Sequence, residues 1–162
     1  MLPTGQGGEV WSVEALMGWI LETAASSGGI EGVTLLGGEP FAQAEPCADL
    51  CERARRHGLG VMLFTGYARE ELAAGSDPAW PRLLAATDLL VDGRYRRDRP
   101  DRRRRWIGST NQRLWFQSDR YRADDPRFAE PDSVELRFHP DSGLQVNGWP
   151  ELAAQLEPSA NR

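Results

Sequence analysis

Two glycines, a carboxylate and a proline stand in a row at Gly37-Gly38-Glu39-Pro40, directly after the apolar run Val33-Thr34-Leu35-Leu36. A strand that ends this way can bring bare backbone against a small polar ligand, because glycine has no Cβ and tolerates dihedrals that other residues avoid. The proline then stiffens the exit. Two further apolar runs end in comparable residues. Thr65-Gly66-Tyr67 follows GVMLF, and Asp92-Gly93 follows Leu89-Leu90-Val91, with Asp88 in front of that run. Ligands of open parallel sheets and parallel barrels bind at the carboxyl ends of the strands. Glu39 and Asp92 are therefore expected on one rim. Two carboxylates facing one cleft could hold an ammonium group or a cation there, since unpaired like charges are costly.

These ends need strands and crossover helices to position them. Ser12 is a suitable cap for a helix carrying Val13, Leu16, Met17, Ile20 and Leu21 at helical spacing, stopped by Ser26-Ser27-Gly28-Gly29. Residues 33–36 are short and apolar, the pattern of a strand covered on both faces. A second helix is expected over 45–57, with Pro46 in its first turn and Gly58 as its stop. Strands over 60–64 and 89–91 follow, with helical turns over 69–74 and 81–86 between them. The alternation of helix and strand predicts a parallel sheet with crossover helices. Residues 134–138 and 144–147, joined by His139-Pro140-Asp141-Ser142-Gly143, read as a hairpin. The tail from Pro150 is polar and expected to fray.

The 162 residues fit one domain, with a core over about 10–115 and the hairpin as an extension at about 130–150. No apolar run is long enough for a membrane span and no basic-then-apolar leader opens the chain, so a cytoplasmic protein is expected. All 19 basic residues are arginine, which excludes a catalytic lysine. Residues 94–105 (RYRRDRPDRRRR) hold eight of them and two Asp, a local charge of +6, leaving −11 elsewhere. Such a run reads as a solvated loop, as a docking surface for an acidic partner, or as a phosphate-binding stretch. The acidic remainder of the chain argues against nucleic acid. Cys47 and Cys51, the two cysteines, suit one helix face as a buried pair. His57 reads as a helix C-terminal residue and His139 as part of the hairpin turn.

GVTLLGGEPFAQ, LFTGYAREEL, DLLVDGRY and WIGSTNQR follow one another in this sequence. Four such motifs in this order resemble the radical S-adenosylmethionine superfamily, in particular the activases of glycyl radical enzymes, including the type acting on anaerobic ribonucleoside-triphosphate reductase. The resemblance covers about residues 10–115. It implies a partial parallel (β/α) barrel within the α/β class. It also implies S-adenosylmethionine as a ligand, with Gly37, Gly38 and Glu39 at its amino group and Pro40 closing that loop. Thr65 and Asp92 would lie near the methionine moiety or a cation, and Ser109 and Asn111 would line the far side of the cleft. In the family a [4Fe-4S] cluster reduces S-adenosylmethionine to a 5′-deoxyadenosyl radical, which takes a hydrogen atom from a glycine of the partner enzyme. A glycyl radical enzyme and an electron donor such as flavodoxin or ferredoxin are the implied partners.

One part of the pattern is missing. The family holds its cluster with a CxxxCxxC loop after the first strand, and nothing before Gly37 supplies it. Cys47 and Cys51 come after the glycine loop and number two rather than three. The expectation is a chain without the first strand and cluster loop, inactive by itself, either from a gene start placed too late or as a remnant that still binds S-adenosylmethionine or the partner. A strand over 33–36 left at an edge carries no Lys, Pro or charge to protect it, so poor solubility is also expected.

Overall fold

A computed structural model describes residues 10–128 and the backbone of two further strands, Glu135–His139 and Gly143–Asn147. Helix α1, Val13–Ser26, begins as the sequence predicts, with the Ser12 hydroxyl accepting the Ala15 amide at 3.1 Å. It presses Met17 and Ile20 into the core and ends where Gly28 and Gly29 turn to positive φ. Strand β1 is Gly32–Leu35 and leads into a 3₁₀ turn, Pro40–Gln43. Helix α2, Ala44–Arg56, buries Ala44, Ala48, Cys51 and Ala54, a stripe at helical spacing. Strand β2 is Gly60–Phe64, helix α3 Arg69–Ala74, helix α4 Ala79–Ala85 and strand β3 Leu89–Asp92. Strand β4, Arg113–Phe116, follows a long loop.

The strands are ordered β1-β2-β3-β4 in one open sheet. The first three run parallel, as the helix–strand alternation predicts, and β4 runs antiparallel to β3. The sheet is therefore mixed, and the wholly parallel arrangement expected from sequence is corrected. RLWF is only four residues and follows a polar turn, so its pattern gives little warning of a strand, yet it pairs all four residues of β3. The expected hairpin is present as β5, Glu135–His139, paired antiparallel with β6, Gly143–Asn147.

Strand alternation divides the core in two. Val61, Leu63 and Leu90 point toward the helices and join Met17, Ile20, Phe41, Cys51 and Leu83. Met62, Leu89 and Val91 point the other way. Among the described residues no helix covers that second face. The chain's own segment after the β3–β4 loop does so, with Phe128 set edge-on to Trp106, Phe116 and Tyr121 at 5.3, 5.0 and 6.4 Å. The β1–β2 approach depends on glycine. A Cβ on Gly32 would lie 2.3 Å from the Gly60 carbonyl oxygen, and one on Gly60 would lie 2.2 Å from the Tyr121 hydroxyl.

Among the described strands β1 lies at the edge of the sheet, and its residues are part-exposed or exposed rather than covered on both faces. Thr34 is exposed and Leu36 is 73% exposed. An apolar groove of about 520 Å³ runs beside this edge, lined by Leu16, Trp19, Ile20, Val33, Leu35 and Cys47 among others. Among the described residues no helix is long and apolar enough to cross a membrane. An unprotected apolar edge next to an apolar groove favours association. The chain is expected to elute as polydisperse material in size-exclusion chromatography with light scattering, and Thr34→Lys to shift it toward monomer. Monodisperse parent protein would contradict this.

Candidate functional site

The glycine loop is shaped by one carboxylate. Gly37 and Gly38 adopt φ of 101° and 59°, the left-handed region, and nothing lies within 4 Å of a Cβ placed on either. Among the described residues the space beside their backbone is open. Glu39 follows in extended conformation and turns its side chain inward. Its Oε1 accepts the Phe41 amide at 3.1 Å and the Thr65 hydroxyl at 2.8 Å, and its Oε2 accepts the Gly66 amide at 2.8 Å. Thr65 Oγ1 in turn accepts the Tyr67 amide at 3.1 Å, and the Thr65 amide donates to the Val91 carbonyl at 3.0 Å. One carboxylate thus joins the ends of β1 and β2, and Thr65 carries the connection to β3. Behind the loop Phe41 is buried edge-on to Trp80 and Tyr67, and the Trp80 indole donates to the Phe41 carbonyl at 2.9 Å.

Asp92 is fully buried at the end of β3. Its Oδ2 accepts the Arg69 amide at the start of α3 at 2.8 Å, and the Arg113 guanidinium on β4 pairs with both oxygens. Arg113 also forms a two-bond pair with Glu70, at 2.8 and 2.7 Å. Arg113 and Arg69 both lie over the Trp115 ring, at 5.0 and 4.3 Å. Burial alone would push the Asp92 carboxyl up, but Arg113 and the Arg69 amide outweigh it and hold it below the ordinary carboxylate range. The Arg113 contact holds Glu70 down to about 2.

The two carboxylates therefore do not share a cleft as free charges. Each is already satisfied by its own donors, and the rim cation site expected from sequence is not formed by them. Four of the predicted residues line two separate cavities, and Gly38 and Thr65 line neither. Gly37 and Pro40 line the apolar groove beside β1. Asp92 and Asn111 line a polar cavity of about 410 Å³ with Gly66, Gly93, Arg94 and Arg113. The Glu39 latch lies between them, since Gly66 both donates to Glu39 and lines the polar cavity. Asn111 donates to the Arg94 carbonyl at 2.8 Å. Ser109 does not line the cleft: it is fully buried, and its hydroxyl accepts the Arg96 amide at 3.0 Å.

Two residues that sequence reading passed over organise this side. Gln112 Oε1 accepts the Gly108 and Ser109 amides, each at 3.1 Å, and its Nε2 donates to the Gly93 carbonyl at 3.0 Å. Arg113 neutralises Asp92. A polar residue at the end of a glycine- and serine-rich turn is the only signal for either, and it does not name a partner. At the opposite end of the sheet, buried Asp88 accepts the Val61 amide at 2.9 Å and the Ser118 hydroxyl at 2.6 Å.

The cysteines do not fit an iron–sulfur cluster. Cys51 is wholly buried and its thiol is pushed up to about 12, by burial first. Cys47 is half-buried and pushed up by burial and then by Glu39. A cluster needs thiolates, and these sites disfavour them. Among the described residues no group of three or more His, Cys, Asp or Glu could hold a metal ion.

Two outcomes follow from this geometry. Glu39→Gln places an amide NH₂ against the Gly66 N–H, and is expected to lower unfolding free energy in urea by about 1–2 kcal/mol; an unchanged midpoint would contradict the latch. The Asp92 and Glu70 values in the fold lie below their unfolded ones. Their stabilisation is complete above the unfolded carboxylate range and is lost as pH falls through the folded values. Stability should therefore drop from about pH 4 toward pH 2, and Arg113→Met should flatten that drop. The same acid limb in the variant would overturn the assignment.

Comparison with known proteins agrees with the family resemblance. The family described as 4Fe-4S single cluster domain matches residues 4–115, more than half of the chain. An anaerobic ribonucleoside-triphosphate reductase-activating protein of Enterobacteria phage T4 is 33% identical over 94 residues, covering 56% of this chain and 56% of the relative. A protein of the same description from Vibrio cholerae serotype O1 is 34% identical over 85 residues, covering 50% of this chain and 52% of the relative. The matched stretch spans about half the length of either relative. The chain belongs to the 4Fe-4S single cluster domain family, and over about half of its length it is similar to these two activating proteins.

Proposed function

We propose that this chain is the S-adenosylmethionine-cradling part of an activase that generates a glycyl radical on a partner enzyme, with anaerobic ribonucleotide reductase as the partner. The observation that carries the reading is the Gly37-Gly38 backbone, open and at positive φ beyond a strand end and locked there by Glu39. Such a loop can offer carbonyl oxygens to an ammonium group, and the polar cavity beside Gly66 has room for the rest of a small ligand. Glu39 and Thr65 act by position, since their polar atoms are engaged with each other and with Gly66. Asn111 and the Gly93 turn bound the far side.

S-adenosylmethionine, when bound and reduced, supplies the hydrogen-abstracting radical of such activases. The residues here suit its binding and do not suit the cluster. With two cysteines, both disfavouring thiolate, the chain is proposed to bind S-adenosylmethionine without cleaving it. We read the open sheet as part of a parallel barrel and residues 1–162 as one cytoplasmic domain, with the β5–β6 hairpin as an extension; flavodoxin or ferredoxin would be the electron donor of the complete system.

Calorimetric titration with S-adenosylmethionine tests this. Gly37→Ala puts a side chain on a backbone at φ 101° and should weaken binding by roughly tenfold or more. Equal affinity in the variant, or no heat at millimolar ligand with the parent, would overturn the reading.

A further inference from the structure

The arginine-rich loop is exposed, yet hydrogen bonds fold it back on itself. Arg99 and Thr110 face each other through an amide–carbonyl bond of 2.8 Å, the Asp101 amide donates to the Gly108 carbonyl at 3.2 Å, and Pro100 bridges to Ser109. Asp101 is buried and caps the following turn, accepting the Arg103 amide at 2.9 Å and Arg104 Nε at 2.7 Å. Arg104 reaches on to the Gln112 carbonyl at 3.0 Å. Arg96 and Arg99 pair with Asp98. Arg94, Arg97 and Arg103 are exposed and have no acidic partner among the described residues.

Two aromatic residues stand in the same loop. Tyr95 is 56% exposed with its ring against Gly108, where a Cβ would meet it at 3.0 Å. Trp106 is 39% exposed, and it holds φ at 63°, the one non-glycine residue at positive φ among those described. A bulky side chain in that region is strained, and such strain collects at functional positions. The Arg105 guanidinium lies 5.0 Å from the centroid of its ring.

We infer that residues 94–106 form a docking surface for a protein partner, taking a short acidic segment that carries an aromatic or long apolar side chain. Exposed Arg, Tyr and Trp on a rigid turn are the composition of interface hot spots. A long polyanion fits less well. Asp98 and Asp101 interrupt the basic run, and the −11 carried outside residues 94–105 would repel any phosphate chain extending past the loop. The inference does not depend on S-adenosylmethionine binding.

Fluorescence anisotropy on the full chain tests it with three labelled probes of equal charge: an all-Glu peptide, a Glu peptide containing Phe, and an oligothymidylate. The Phe-containing peptide should bind tightest and the oligothymidylate weakest. Arg97→Glu with Arg103→Glu should weaken peptide binding by about tenfold. Trp106→Gly, which relieves the positive φ, should remove the advantage of the Phe peptide while leaving the all-Glu peptide unchanged. Tighter oligothymidylate binding would overturn the inference in favour of a phosphate surface. Peptide affinity indifferent to the charge reversal, or no peptide binding, would overturn it outright.

Discussion

The carboxylate of Glu39 is the contact on which the rest of the site depends. It has three donors, from Phe41, Thr65 and Gly66, and so joins a loop after β1 to the end of β2 across 27 residues of sequence. Without it, Gly37 and Gly38 would have no fixed place, since glycine loses more conformational freedom on ordering than any other residue. The motif's acid is spent on architecture, and the motif's glycines are left open, as the proposed ligand site requires. This separates two roles that a strand-end reading assigns to one group.

The same device recurs at both ends of β3. Asp92 ties β3 to the start of α3 and to β4 through Arg113, and Asp88 ties the start of β3 to β2 and to Ser118. Each is a buried acid with amide and side-chain donors, the condition under which a buried carboxylate stabilises rather than destabilises a fold. Among the described residues one face of this short four-stranded sheet is covered by loop segments rather than helices, and such contacts tie its strand ends together. Rigid strand ends are what a cofactor site requires.

The local part of this design was legible in the sequence. Ser12 as a cap, GVMLF as a buried strand, the REELAA helix and the Leu89-Leu90-Val91 strand all follow from periodicity and end signals within a few residues. What sequence alone could not give depends on distant partners. Arg113 lies 21 residues from Asp92, so nothing near Asp92 announces that its charge is already paired. Strand β4 is four residues with a polar approach, below the length at which alternation is informative. The burial of Ser109 follows from Gln112 and Arg96 closing the loop around it, and the order of the arginine run follows from one buried residue, Asp101.

The central claim is that the Gly37-Gly38 backbone, held by Glu39, receives the ligand. Titrating ¹⁵N-labelled protein with S-adenosylmethionine and following amide chemical shifts tests it most directly. The account predicts that the largest shifts fall on Gly37, Gly38 and Gly66, with smaller ones at Gly93 and Asn111. Shifts confined to the 94–106 loop, or none at saturating ligand, would contradict it.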